Sequence, residues 1–164
     1  MPTYTCADAR AAIENRRFEG WSGLPPDCTP DALVGVPFDD ATWGMLPLGA
    51  AHRPTRSRLL DLAGYDRPLV RVRDGVVIEL EAGMPALAGD VAGLLASLGK
   101  ADEVADFVFR DVPMPKGEHV YASRGITLFI NPETMRVIHV ALYRPTTVDG
   151  YRRELRPELA EIRK

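Results

Sequence analysis

The chain lacks any run of about 18 consecutive apolar residues, so no segment reads as a membrane-spanning helix. Its opening stretch, MPTYTCADARAAIENRRFEG, mixes acids and bases from Asp8 onward and has no apolar core of the length a secretory signal needs. The expected location is therefore cytoplasmic. Cysteine is scarce: Cys6 and Cys28 are the two in the chain, and neither has a Cys or His at zinc-finger spacing. In the cytoplasm both are expected to stay reduced, as small and partly buried thiols, with one disulfide between them as the alternative. No sign of charge dominates, since 20 Lys and Arg face 23 Asp and Glu for a net charge of −3. That balance gives no overall pull towards nucleic acid or an anionic membrane.

The patterns that carry chemistry are also sparse. Three His residues without an H-x-x-x-H pair fix no metal geometry on a helix, which leaves a meeting of His119 and His139 across adjacent or next-adjacent strands as the remaining route to a site. No Gly/Lys/Ser-Thr phosphate loop is present, and no Ser or Cys stands in a nucleophile elbow. The densest basic stretch, from Arg144 through Arg152, Arg153 and Arg156 to Arg163 and Lys164, is interleaved with Glu154, Glu158 and Glu161. It reads as a solvated helix surface. No catalytic set, metal or cofactor is expected.

What is plentiful is punctuation. Fourteen Gly and fourteen Pro in 164 residues call for short elements and many turns. Thr5 with Asp8 makes a capping pattern for a first helix whose Ala9, Ala12 and Ile13, with the stem of Arg16, face inward. Thr29-Pro30 begins a second, short helix that stops near Gly35. From Val36 to Pro54 the periodicity fades into a long loop. It carries Asp39, Asp40, Trp43 and His52 and is followed by Arg53, Arg56 and Arg58, so acid, imidazole and guanidinium groups could converge there. Residues 86–98 have Leu87, Val91, Leu94, Leu95 and Leu98 at helical spacing before Gly99. Thr146 and Asp149 repeat the capping pattern ahead of YRREL, where Tyr151 and Leu155 are an inward pair four apart, and Pro157 starts another short helix.

Between these helices the period shifts towards two. SRLLDLAGY reads as a strand and PLVRVRDGVVIEL as a hairpin with a three-residue loop, Arg73-Asp74-Gly75, because that register sets Val72 against Val76 and Val70 against Ile78. VADFVFR is a further strand, and Pro113 to Gly117 a loop. The stretch 118–143, EHVYASRGITLFINPETMRVIHVALY, alternates most strongly. With loops at 123–125 and 131–135, one face holds Val120, Ala122, Ile126, Leu128, Ile130, Ile138, Val140 and Leu142. The opposite face holds His119, Tyr121, Thr127, Phe129, Val137, His139, Ala141 and Tyr143, with Tyr121, Thr127 and His139 side by side.

An offset of 50 residues aligns Leu48-Gly49 with Leu98-Gly99 and LVRVRDGVVIEL with HVYASRGITLFI, which suggests duplication. A short helix or two, Leu-Gly, and a meander with a Gly-turn hairpin resemble the small BamE-type and β-lactamase-inhibitor-protein-type α/β modules that also occur in tandem. That resemblance spans residues 29–143 and implies a non-catalytic, protein-binding scaffold. The expected fold is thus α+β, a mostly antiparallel sheet of two hairpin modules, 1–83 and 84–164, with short helices packed on it as one unit. The expected function is a partner-binding protein of immunity or inhibitor type, making contact through His119, Tyr121, Phe129, His139 and Tyr143 or through Trp43. The alternative is a small-molecule-binding protein or enzyme with a His/Tyr-lined pocket between the sheet and a covering helix. On either reading, one of the terminal helices could instead simply cover that face.

Overall fold

The computed structural model describes residues 4–15, 21–26, 28–35, 46–47, 55–59, 66–83 and 91–156. They form an α+β fold around one antiparallel sheet. Its strands are β1 (Leu46–Pro47), β2 (Thr55–Leu59), β3 (Asp66–Arg73), β4 (Val76–Gly83), β5 (Glu103–Phe109), β6 (Val112–Tyr121), β7 (Ile126–Asn131) and β8 (Arg136–Tyr143). Their spatial order is β1-β2-β3-β4-β8-β7-β6-β5, so the last strand inserts at the centre and joins the two hairpin regions. Asp39, Asp40, Trp43 and His52 lie outside the described residues, as do 84–90 and 157–164.

The helices form where the caps put them. In α1 (Cys6–Glu14) the Thr5 hydroxyl accepts from the Asp8 N–H at 3.2 Å and the Asp8 carboxylate accepts from the Thr5 N–H at 2.7 Å. Ala9 and Ile13 are buried and Ala12 packs beside them. In α2 (Pro30–Val34) Thr29 caps the start and Gly35, left-handed at φ +71°, ends it. In α3 (Val91–Leu98) the N–H of left-handed Gly99 donates to the Leu95 carbonyl at 3.0 Å. The cap of α4 (Val148–Leu155) is Thr147 rather than Thr146, its hydroxyl accepting from Gly150 N–H at 3.0 Å. Thr146 is drawn elsewhere, since its own N–H donates to the Ala122 carbonyl at 2.8 Å.

Three registers differ from the alternation-based expectation, and bulges account for two. The β3–β4 turn has two residues, Asp74 (φ +53°) and Gly75 (φ +76°), which is the turn the strand twist favours. An extra residue at Ile78 then shifts the ladder, so Val72 still meets Val77 and Val70 meets Leu80. In β8 the extra residue is Ile138, which leaves Val137 opposite Ile130 and keeps Val140 and Leu142 with Leu128 and Ile126. Between β6 and β7 the loop has four residues rather than three, pairing Tyr121 with Ile126, which turns β6 over. His119 and Tyr121 therefore share a face with Leu128, whereas Val120 and Ala122 join Phe129. Pro113 to Gly117 is not a loop: it belongs to β6, bulged at Lys116 (φ +54°) where the Lys116 N–H donates to Asp106 Oδ1 at 2.8 Å.

The sheet carries a hydrophobic layer on each side. On the first, α1, α2 and α3 pack over Val70, Val72, Val77, Leu80, Ile126, Leu128, Val140 and Leu142. On the second, α4 lays Tyr151 and Leu155 against Phe129, Ala141, Tyr143 and Val120. Val70 and Val72 lie in the first layer and their offset-50 counterparts Val120 and Ala122 in the second, so the aligned hairpins do not occupy equivalent positions. Cys6 and Cys28 are joined by a disulfide, against the expectation of free thiols. Their Cα atoms are 5.3 Å apart, so α1 is tethered beside β4, where the Val77 N–H donates to the Cys28 carbonyl at 2.8 Å.

One backbone crossing locks this arrangement. The Tyr143 carbonyl accepts from Leu24 N–H at 2.8 Å, while Tyr143 N–H donates to the Gly125 carbonyl at 2.8 Å. Gly125 is left-handed at φ +69°, and a Cβ there would fall on the Tyr143 carbonyl and on Gly23 Cα. Gly125→Ala should therefore cost about 3 kcal/mol or more in denaturant unfolding. Gly75→Ala, with the same handedness but open space around it, should cost only about 1 kcal/mol.

Candidate functional site

Alternate residues of four adjacent strands converge under α4. Strand β4 contributes Glu79 and Glu81, β8 contributes His139, Ala141 and Tyr143, β7 contributes Thr127 and Phe129, and β6 contributes Glu118 and Val120. The Tyr143 hydroxyl donates to the Ile126 carbonyl at 3.2 Å and accepts from Thr127 at 2.8 Å, and its ring lies 5.0 Å from that of Tyr151. Phe129 meets Phe107 edge-on at 5.2 Å and His139 at 5.9 Å, with the Arg156 guanidinium 4.7 Å above its ring.

Among these rings lies an ionic layer. Glu79 and Glu118 are fully buried and Glu81 nearly so. Arg152, from α4, pairs with Glu118 and reaches Glu103 at 3.2 Å. Arg156, at the C-cap of α4, reaches Glu81 at 3.2 Å, and His139 Nε2 lies 3.4 Å from the same carboxylate. Arg71, opposite Glu79 in the ladder, stands 3.7 Å from it and donates to the Leu155 carbonyl at 2.9 Å. Arg73 closes the rim with Glu154 at 2.8 Å. Arg152 and Arg156 are thus not part of a solvated helix surface. They are the cations that bring α4 down onto buried acids.

Glu79 and Glu81 stand two apart on one strand face, and their ionisation is split. As an anion, Glu79 finds no N–H or O–H donor for either oxygen. Burial raises its pKa well above the ordinary carboxyl value, the Glu81 charge adds to this, and the protonated form hydrogen-bonds Glu81. For Glu81 burial works in the same direction but loses. Hydrogen bonds from Glu79 and His139, with the charges of His139 and Arg156, hold its pKa well below the usual range. Burial thus favours the neutral form of Glu79 and its neighbours favour the charged form of Glu81, a split seen where two carboxyls share a dry site.

Of the residues expected to form one recognition face, Phe129, His139 and Tyr143 do lie together beside Thr127, and α4 covers them. His119 and Tyr121 do not. Tyr121 is buried in the opposite layer and donates to the Gly99 carbonyl at 3.2 Å, and half-buried His119 shares that side, where burial lowers its pKa. The row Tyr121, Thr127, His139 is therefore not formed. Sequence reasoning missed Glu79, Glu81, Glu118, Arg71, Arg152 and Arg156. The readable signal was the alternation of acids with apolar residues in VVIELEAG, which marks a strand face that must find cations. A cleft of about 430 Å³ opens beside this layer, between the β3–β4 turn and α4, with Val76, Ile78, Tyr143 and Leu155 on its walls and Arg73, Asp74, Arg144 and Glu154 around it.

No family model and no curated protein matches the chain. Among solved structures it is similar to the crystal structure of a cysteine-rich secretory protein from Staphylococcus aureus subsp. aureus Mu50, at 9% identity and a TM-score of 0.40. The match covers 68% of this chain and 43% of that one, so the chain spans less than half the length of that protein. No helix among the described residues is long and apolar enough to cross a membrane.

The split pair sets opposite pH dependences. Glu79, raised on folding, gives a contribution present in full below about pH 4 and lost as pH rises through its folded value. Glu81, lowered on folding, gives a contribution present above about pH 4 and lost as pH falls. Glu79→Gln should therefore flatten the alkaline decline of stability and leave the neutral thermal midpoint equal or higher. Glu79→Gln with Glu81→Gln should lose about 3 kcal/mol or more at pH 7, because Arg156 then stays buried without a carboxylate. Chemical unfolding across pH 4–9 measures both.

Proposed function

We propose that this protein is a partner-binding module, of the kind inhibitor and immunity proteins represent, and that it makes contact through the outer end of the β5–β6 hairpin. The single observation that carries this reading is where apolar surface remains. The large apolar side chains left exposed among the described residues are Val104 (45%), Val108 (65%), Val112 (52%) and Met135 (48%). Three belong to the β5–β6 hairpin, and the fourth sits in the β7–β8 turn that the strand register places next to it. The pairs Phe107–Met114, Val108–Pro113 and Phe109–Val112 lie past the last β6–β7 pairing, so this end of the hairpin is a two-stranded ribbon. Such ribbons are marginal alone, and exposed valines on one are better explained by contact than by folding. Of the rings expected to make the contact, Phe129 and Tyr143 are buried under α4 and Tyr121 in the opposite layer. The Cys6–Cys28 disulfide favours an oxidising compartment over the cytoplasm.

A second reading has its own observation. The cleft beside Tyr143 is large enough for a small molecule, and apolar walls with charged groups around them suit an amphipathic ligand. Ile78→Trp would fill it. Ligand-detected NMR against a metabolite mixture should then lose every signal change that the unsubstituted protein produces, and an unsubstituted protein that binds nothing ends this reading.

For the leading reading, a photo-activated cross-linker placed at Val108 should give a discrete protein adduct in the cells that make the protein. The same group at exposed Asp149, on α4, should give none. Equal or absent labelling at the two positions would reject the ribbon as the contact surface.

A further inference from the structure

The partner-binding reading leaves open what covers β5 itself. Among the described residues this strand is one edge of the sheet and pairs with β6 alone. Natural edge strands are usually interrupted by a bulge, a proline or a lysine. Here the bulge that shifts the β5–β6 ladder lies in β6, at 115–117, and β5 runs as an unbroken strand, EVADFVF. Its burial alternates strictly. Glu103, Ala105, Phe107 and Phe109 turn towards the layer under α4, and Val104, Asp106 and Val108 stand exposed on the other side.

We infer that β5 is an interface for a second copy of this chain, the two strands pairing antiparallel about Asp106 so that the two sheets become one. The register follows from self-complementarity. A two-fold axis through Asp106 sets each residue opposite the one whose number sums with it to 212. Val104 then faces Val108 of the second copy, and Val108 faces its Val104, closing exposed apolar groups on one another. Because the axis passes through a residue, outward-pointing backbone groups meet outward-pointing ones along the whole strand. Moving the axis by one residue would set valine against Asp106. The one unfavourable contact in this register is Asp106 with its own counterpart, like charge opposite like charge.

That flaw makes the register testable. It rests on the reading of the hairpin as a contact surface, and sedimentation velocity of the full chain separates the two. The unsubstituted protein should show a concentration-dependent monomer–dimer equilibrium below about 100 μM. Asp106→Asn, which keeps an acceptor for the Lys116 N–H, should tighten the dimer by roughly twofold to fivefold. Val108→Lys should weaken it by about tenfold or more while leaving the thermal midpoint in place, since that side chain is 65% exposed. Should the lysine variant fail to fold, Val108→Thr provides the weaker form of the same test. A protein that stays monomeric, or a dimer indifferent to both changes, overturns the inference. A monomer that still cross-links to another protein from Val108 overturns it and leaves the partner-binding reading standing.

Discussion

Glu79, Glu81 and Glu118 lie under an eight-residue helix whose own side chains bring the charges they need. Carboxylates in a dry layer cost several kcal/mol each unless paired, and breaking such pairs costs more than forming them gains. Arg152 of α4, Arg156 at its C-cap and Arg71 from β3 meet them, and burial with the Glu81 charge beside it favours the neutral form of Glu79. The aromatic layer of Phe129, Tyr143 and Tyr151 can close only because this accounting closes. The ionic layer therefore decides which face of the sheet is interior, and with it which surface remains for contact.

From that decision the rest of the molecule follows in sequence. With α1–α3 over one face and α4 over the other, the sheet has no broad open side across its centre. Apolar surface persists where neither layer reaches, along β5 and at the end of its hairpin. The crossing of Gly23, Gly125 and Tyr143 holds the chain near the 21–26 segment against the β6–β7 loop, which fixes the register that turns Tyr121 inward.

The helices were legible because their signals are local: Thr5 with Asp8, Thr29 with Pro30, and Gly99 each act within one turn of chain. Residues Tyr151 and Leu155 announced their inward face by spacing alone. The alternation of β7 and the shared face of Val140 and Leu142 with Leu128 and Ile126 were equally readable, although the expected register was not. Bulges were not, because an extra residue at Ile78 or Ile138 leaves no mark that simple alternation detects, and a four-residue loop at 122–125 looks like a three-residue one. That single residue sent His119 and Tyr121 to the opposite side and divided the expected recognition face. The resemblance to tandem inhibitor-type modules drew on Leu48-Gly49, outside the described residues, and on two hairpins that prove to differ in turn length. The buried acids escaped notice for another reason. Glu81 finds Arg156 75 residues away at the end of α4, and no spacing rule spans that distance.

The closed layer depends most on the split ionisation of Glu79 and Glu81. Carbon-detected NMR of the side-chain carboxyls resolves it directly. The Glu79 carboxyl carbon should keep the shift of a protonated acid to higher pH than exposed glutamates do, while that of Glu81 stays ionised as the pH is lowered through the range where they titrate. Two carboxyls that both titrate near the ordinary value of about 4 would mean that water reaches them and that α4 does not seal this face.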